Sequence, residues 1–200
     1  ANGTWMARRN GCCYWTGNSE AGMFDAWPAV NGLELEENGD DGTGLASAES
    51  FLFILQKRHI YRMSYNEDPL SDGGVFLAVE RGCINNRSWL KIDSSLYLLD
   101  EQGIYEFSAG GEAKPLSMGI QDMFWALTGD TTIRVNWRAQ RFFHSQLSQA
   151  ESVMRWFVSL DGNLIPKHAL VYNYMTKEWW VEEVPVPLGS SCLMRPNLAR

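Results

Sequence analysis

Basic runs are missing from this 200-residue sequence, which holds 17 lysines and arginines against 24 aspartates and glutamates. The formal net charge is −7, and the cations form no stripe along the chain. Binding to a nucleic-acid backbone is therefore not indicated, because such binding depends on clustered positive charge. No apolar run approaches the roughly 20 residues that cross a bilayer, so we expect no membrane span.

The opening residues lack the basic start and the apolar segment of a secretory signal peptide, so none is expected. The sequence also begins without an initiator Met, which is expected of a trimmed N terminus or an excised piece.

Cysteine is scarce and carries no metal-binding spacing. No Cys-x-x-Cys motif occurs, which argues against a zinc site. Adjacent cysteines on a strand point to opposite faces, so Cys12 and Cys13 are not expected to bridge each other. We expect reduced, mostly buried thiols and a reducing compartment. The four cysteines are Cys12, Cys13, Cys83 and Cys192.

Signatures of catalysis and cofactor binding are also missing. The serine pairs Ser94-Ser95 and Ser190-Ser191 lack the Gly-x-Ser-x-Gly context of a hydrolase nucleophile. No glycine-rich loop stands between a strand and a helix, so nucleotide binding is not indicated. The histidines have no metal-ligand spacing to one another, and we expect them on the surface or in turns. They are His59, His144 and His168.

Two acidic features leave an alternative open. The connection at 38–42, Asn-Gly-Asp-Asp-Gly, has a calcium-like composition but lacks the order of an EF-hand loop, so we expect a solvated turn. Carboxylate pairs such as Asp40/Asp41 and Glu182/Glu183 are the groups that a glycosidase uses, although charged turns at strand ends are far commoner.

What the sequence does contain is aromatic residues in short apolar runs, at 12% of the chain. Residues 84–111 predict three short strands: 88–92, 96–99 and 104–107, separated by turns at 93–95 and 100–103. Gly103 can take the positive φ that the second turn needs. Strands joined this tightly pair antiparallel, and a meander with two apolar faces must stack on another unit.

The same plan recurs 44 residues earlier. Phe53-Ile54 matches Tyr97-Leu98, and Ile60-Tyr61 matches Ile104-Tyr105. In each segment a polar turn lies between the first pair and the second. This spacing is that of a four-stranded propeller blade.

Further strands are predicted at 5–9 and 11–15 around an Asn10-Gly11 turn, and at 31–35, 45–49, 51–55, 60–63, 75–79, 152–160, 169–174 and 179–181. Residues 115–127 predict a short helix capped by Ser117, whose apolar face is Ile120, Met123, Phe124 and Leu127. Residues 131–137 and 139–143 predict more extended structure. Four units result: residues 5–35, 45–79, 88–107 and 153–181.

The predicted fold is therefore all-β, a β-propeller-like array of about four antiparallel blades, in which neighbouring sheets cover each other's faces. The four units either close alone or form an arc of a larger ring. We expect one domain over 1–184 and a proline-rich tail or linker over 185–200. A β-sandwich is the competing architecture.

Several of these segments carry a family resemblance. Residues 41–45, 51–55, 59–63, 82–88, 96–107, 115–117, 120, 169–174 and 179–180 resemble, in order and spacing, the β-propeller structural proteins of tailed bacteriophages. These include DNA-stabilising and head-closure components of the tail hub. The resemblance covers residues 42–181 and matches no catalytic motif, so no catalytic, cofactor-binding or metal-binding residue is assigned.

The resemblance implies a non-enzymatic virion protein, assembled in the host cytoplasm, which contacts portal, adaptor or tail subunits in a ring of copies. The loops at 65–74 and 35–42 would present those contacts, and the acidic charge would let packaged DNA pass without sticking. The alternative is a carbohydrate-binding or glycosidase-type propeller. Its sugar-stacking candidates are the tryptophans at 89, 125, 137, 156, 179 and 180, most of which we expect to pack between blades.

Overall fold

The computed structural model describes residues 5–7, 12–15, 32–35, 40–64, 74–125 and 133–191. The described chain is mostly β, as predicted, and forms four antiparallel sheets. The Asn10-Gly11 turn, most of the two contact loops, Leu127, Cys192 and the end of the tail lie outside the described residues.

Each sheet is a simple meander in chain order. Sheet 1 holds β1 (Trp5–Ala7), β2 (Cys12–Trp15) and β3 (Gly32–Glu34). Sheet 2 holds β4 (Gly42–Ala48), β5 (Phe51–Gln56), β6 (Ile60–Ser64) and β7 (Val75–Val79). Sheet 3 holds β8 (Trp89–Ile92), β9 (Ser95–Asp100), β10 (Gly103–Ser108) and β11 (Ala113–Pro115). Sheet 4 holds β12 (His144–Ser148), β13 (Val153–Val158), β14 (His168–Asn173) and β15 (Glu178–Glu183).

The 44-residue repeat is confirmed in the strand register of sheets 2 and 3. Tyr61 pairs with Ile54 in sheet 2, and Tyr105 pairs with Leu98 in sheet 3. Corresponding residues of the two sheets differ in number by 44 (98 minus 54, and 105 minus 61). Gly103 has the expected positive φ, 127°, where the β9–β10 turn ends.

The predicted helix is present as a 3₁₀ helix, Ser117–Met123, with a kink at Ile120. Ser117 does not cap it: the hydroxyl oxygen instead accepts a hydrogen bond from the N–H of Ile104 at 3.0 Å. Met123 and Phe124 are buried, as the predicted apolar face requires.

The extended structure predicted at 139–143 was wrong, and that predicted at 131–137 is present only in part of the described residues. Trp137–Phe142 is a second 3₁₀ helix, begun by Asn136, whose side chain accepts the N–H of Arg138. Among the described residues before this helix, 133–136, Val135 makes an isolated β-bridge to Leu160 and the backbone of Asn136 is extended. Strands β11 and β12 were not predicted, because neither carries the apolar run that marks the others.

Consecutive sheets bury their faces against each other. Leu35 packs on Ile54 and Tyr61 of sheet 2. The opposite face of sheet 2 meets sheet 3, where the rings of Phe53 and Phe107 lie edge to face with centroids 5.2 Å apart.

The largest core lies between sheets 3 and 4. There, Leu99 and Ile104 pack with Trp156 and Leu170, and the two 3₁₀ helices fill the space beside them.

Sheets 1 and 2, and likewise sheets 3 and 4, approach each other at their first strands. Strand β1 lies against β4, and β8 lies against β12. The Nζ of Lys91 on β8 donates to the carbonyl of Ser47 on β4 at 2.6 Å, and this hydrogen bond links sheets 2 and 3. No sheet closes on another in the part of the chain that the structure describes, so closure of a ring is not shown.

Candidate functional site

The candidate site is an open cleft of about 440 Å³ between sheets 2 and 3. It lies where the β5–β6 and β9–β10 turns stand next to each other, an adjacency that follows from their matching register. Charged and polar side chains line it: Lys57, Arg58, His59, Glu80, Arg81, Asp100, Glu101 and Gln102, together with Gly82.

A buried ion pair forms the wall on the side of sheet 3. The Nε and Nη2 of Arg81 donate to the two carboxylate oxygens of Asp100 at 2.7 and 2.8 Å. The guanidinium lies 3.9 Å from the centroid of the Tyr105 ring, and the Tyr105 hydroxyl donates to the carbonyl of Gly82 at 2.7 Å. Asp100 also accepts the N–H of Gln102. These contacts fix the segment after sheet 2 onto sheet 3.

Burial shifts the pKa values of the ionisable side chains in and beside this wall. It raises the pKa of the Asp100 carboxyl, although the hydrogen bonds and charge of Arg81 act in the opposite direction. Burial also raises the pKa of Tyr105 well above its usual range and that of the Cys83 thiol to about 11. Cys83 is therefore a protonated thiol rather than a nucleophile, because only the thiolate reacts.

The opposite wall is held by Asp40. Its Oδ2 accepts the N–H of Arg58 at 2.8 Å and lies 3.0 Å from the Nδ1 of His59. The Asp40 side chain is only 8% exposed. Its part of the acidic connection is therefore not the solvated turn that the sequence predicted. Lys57 and Asp41 make a longer, more exposed ion pair at 3.7 Å.

Gly82 lies at the base of the cleft for a steric reason. A Cβ on this residue would lie 2.2 Å from the carbonyl oxygen of Gln56 and 2.3 Å from the carbonyl carbon of Lys57. The close approach allows the N–H of Cys83 to donate to the Gln56 carbonyl at 2.8 Å.

The predicted histidines are not brought together. His59 lies at the cleft, but His144 and His168 are in β12 and β14 of sheet 4. The expectation of a surface or turn position is wrong for His144, which is 4% exposed and stacks on Phe157. No group of three metal-ligating side chains was found among the described residues.

The remaining candidate residues are also dispersed. Glu182 accepts a hydrogen bond from Arg155 and lies far along the chain from Asp40 and Asp41. Trp156 is fully buried, and Trp89, Trp137 and Trp179 are partly buried against core residues. Trp125 and Trp180 are exposed, at 50% and 38%.

Sequence reasoning missed the Arg81–Asp100 pair. Asp100 was taken as a turn residue, yet it is the last residue of β9 and is 4% exposed. The available signal was its place directly after a buried apolar run. Gln56 occupies the equivalent position 44 residues earlier and is also buried.

No model of a known protein family matches this sequence, and no curated protein matches it. The resemblance to phage propeller proteins therefore stays a prediction. None of the helices in the described ranges has the length and apolar content to span a membrane.

Proposed function

We propose that this chain is a non-enzymatic scaffold in which β-propeller blades fan out from a common axis. Blades of this kind hold rigid loops in fixed positions, and the function of such a chain is to bind other proteins. The resemblance noted above gives the setting that we propose: a virion component of the tail hub, head-closure or DNA-stabilising type, in a ring of copies beside portal, adaptor or tail subunits.

The observation that carries the proposal is the way in which consecutive sheets meet. First strands lie side by side, whereas the first 3₁₀ helix packs against β10, the third strand of sheet 3, within the core that sheets 3 and 4 share. Trp179 on the last strand of sheet 4 reaches Leu116 of that intervening segment, with Nε1 donating to the carbonyl at 3.0 Å. Sheets that lie closer together at one edge than at the other have the geometry of propeller blades.

Native mass spectrometry and negative-stain microscopy of the purified chain test the assembly role. We expect closed rings of several copies, because a scaffold that acts through repeated contacts must self-associate or be held by a partner ring. A monomer at every concentration, without rings in the images, would count against a self-assembling hub component.

The cleft supports a second candidate, a carbohydrate-binding or glycosidase-type propeller. Its polar lining includes the carboxylates of Glu80 and Glu101, which would suit sugar hydroxyls. A glycan array and a general glycosidase screen separate the two functions. A scaffold should give neither binding nor turnover, whereas a signal lost in Glu80→Gln or Glu101→Gln would favour the carbohydrate function.

A further inference from the structure

One stretch of the chain departs from its acidic character. Residues 131–150 carry three arginines and no aspartate or glutamate, although the chain as a whole holds 24 acidic residues. Part of this stretch forms the second 3₁₀ helix, Trp137–Phe142.

The helix places two of these arginines on one side. Side chains three residues apart eclipse each other on a 3₁₀ helix, and a rise of about 2 Å per residue separates them by about 6 Å along the axis. Arg138 and Arg141 have this spacing, and both are exposed.

Arg87, from the segment before sheet 3, adds a third positive charge. Its Nη2 donates to the carbonyl of Arg141 at 2.7 Å, and its Nη1 donates to that of Gly189 at 3.3 Å. The neighbouring Asn85 holds the same helix end, because its Nδ2 donates to the carbonyls of Gln140 and Phe143 at 2.7 and 3.0 Å. We call these three residues, Arg87, Arg138 and Arg141, the arginine surface.

In the part of the chain that the structure describes, no carboxylate forms an ion pair with the arginine surface. Within the described ranges, the ion pairs with carboxylates involve other cations: Lys57, His59, Arg81 and Arg155. The positive charge of Arg87 also lowers the pKa of His144, and it adds there to the larger effect of burial. At physiological salt the screening length is about 8 Å, so a bound anion senses these three charges more than the distant acids.

We propose that the arginine surface binds the phosphate groups of a nucleic-acid backbone. A guanidinium is planar and always charged, and its paired N–H groups match phosphate oxygens in a bidentate manner. The surface lies where the first strands of sheets 3 and 4 meet, and the hydroxyl of Ser145 on β12 fixes that junction by donating to the carbonyl of Trp89 at 2.9 Å. The proposal stands independently of ring assembly and of the viral setting.

Fluorescence anisotropy with short labelled DNA, both duplex and single-stranded, tests this proposal. The variant is Arg138→Gln/Arg141→Gln, which leaves Arg87 in place because it holds the helix end. The control is Lys114→Gln/Lys177→Gln, which removes the same charge from exposed residues on β11 and on the β14–β15 turn. Urea unfolding of each variant verifies that it is folded.

We expect the wild type and the control to bind alike and the arginine variant to bind at least tenfold more weakly. The slope of log affinity against log salt should become shallower by about 2, since each phosphate contact on duplex DNA contributes about 0.9. Absence of wild-type binding at low salt, or equal losses in both variants, would overturn the proposal. Competition by polyglutamate as effective as that by DNA would also overturn it, and would identify an acidic protein segment as the ligand.

Discussion

At the scale of single residues, Gly82 is constrained by backbone on the facing strand rather than by its own conformation. Gly82→Ala would bring its Cβ within 2.2 Å of the Gln56 carbonyl oxygen, and backbone cannot move aside as a flexible side chain can. We expect a loss of at least about 1–3 kcal/mol in the free energy of unfolding, measured in urea. Gly162→Ala, where nothing lies within 4 Å of the new Cβ, is the control and should change stability by about 0.5 kcal/mol or less.

The buried ion pair of the cleft makes a second prediction. Arg81→Met leaves the Asp100 carboxyl, 6% exposed, without its cation, and such a loss costs about 3–5 kcal/mol. Adding Asp100→Leu should recover most of that cost, because no buried charge then remains. Lys57→Met breaks a pair whose side chains are 40% and 36% exposed and should cost about 1 kcal/mol or less. Equal costs for Arg81→Met and Lys57→Met in urea unfolding would contradict this account.

His144 gives the chain a pH-dependent stability. Burial lowers its pKa below the usual 6.5, and its Nε2 has no hydrogen-bond partner that would stabilise a second proton. Because the folded pKa is the lower one, the unfolded chain binds the proton more tightly. The contribution of neutral His144 to the free energy of unfolding is therefore fully present above pH 6.5. It is lost as the pH drops through the folded pKa. His144→Phe keeps a ring against Phe157 and should flatten the unfolding free energy between pH 7 and 5. An unchanged pH slope in the variant would exclude this role.

At the scale of a strand, β15 shows how alternation divides neighbouring side chains. The Trp179 ring lies 4.7 Å from that of Tyr172 and faces the core between sheets 3 and 4, whereas Trp180 points to the other side and is 38% exposed. Trp179→Ala should therefore cost about 3–5 kcal/mol in thermal or urea unfolding. Trp180→Ala should cost about 1 kcal/mol or less. Similar losses would show that both faces of this strand are equally buried.

The same scale shows how much could be predicted from the sequence. Strands with a dense apolar run and a polar turn, such as β5 and β9, were predicted to within a residue or two, and their register followed from the repeat. Strand β12 was not predicted, because only Leu147 among its five residues is strongly apolar and its place depends on β8 beside it. The cleft could not be predicted for a similar reason: Arg81 and Asp100 meet only through the stacking of sheets 2 and 3.

At the scale of the whole molecule, sheets that fan out from an axis and sheets that lie parallel differ in the distances between their strands. Parallel sheets are spaced by about 10 Å at every strand, so sheets 2 and 4 would be about 20 Å apart throughout. Blades that share an axis would instead be closer at the first strands than at the last. The contacts of β4, β8 and β12 favour the second arrangement.

Electron–electron double resonance on paired spin labels measures this difference directly. In a variant without the native cysteines, one label pair replaces Ser47 on β4 and Gln146 on β12, and the other replaces Phe76 on β7 and Val181 on β15. We expect a distance near 20 Å for the first-strand pair and a clearly longer one for the last-strand pair. The reason is that β8 lies directly against β12, whereas Trp179 on β15 contacts Leu116 of the segment between the two sheets. Equal distances would mean a parallel stack, and the propeller would then have to be abandoned together with the scaffold function that depends on it.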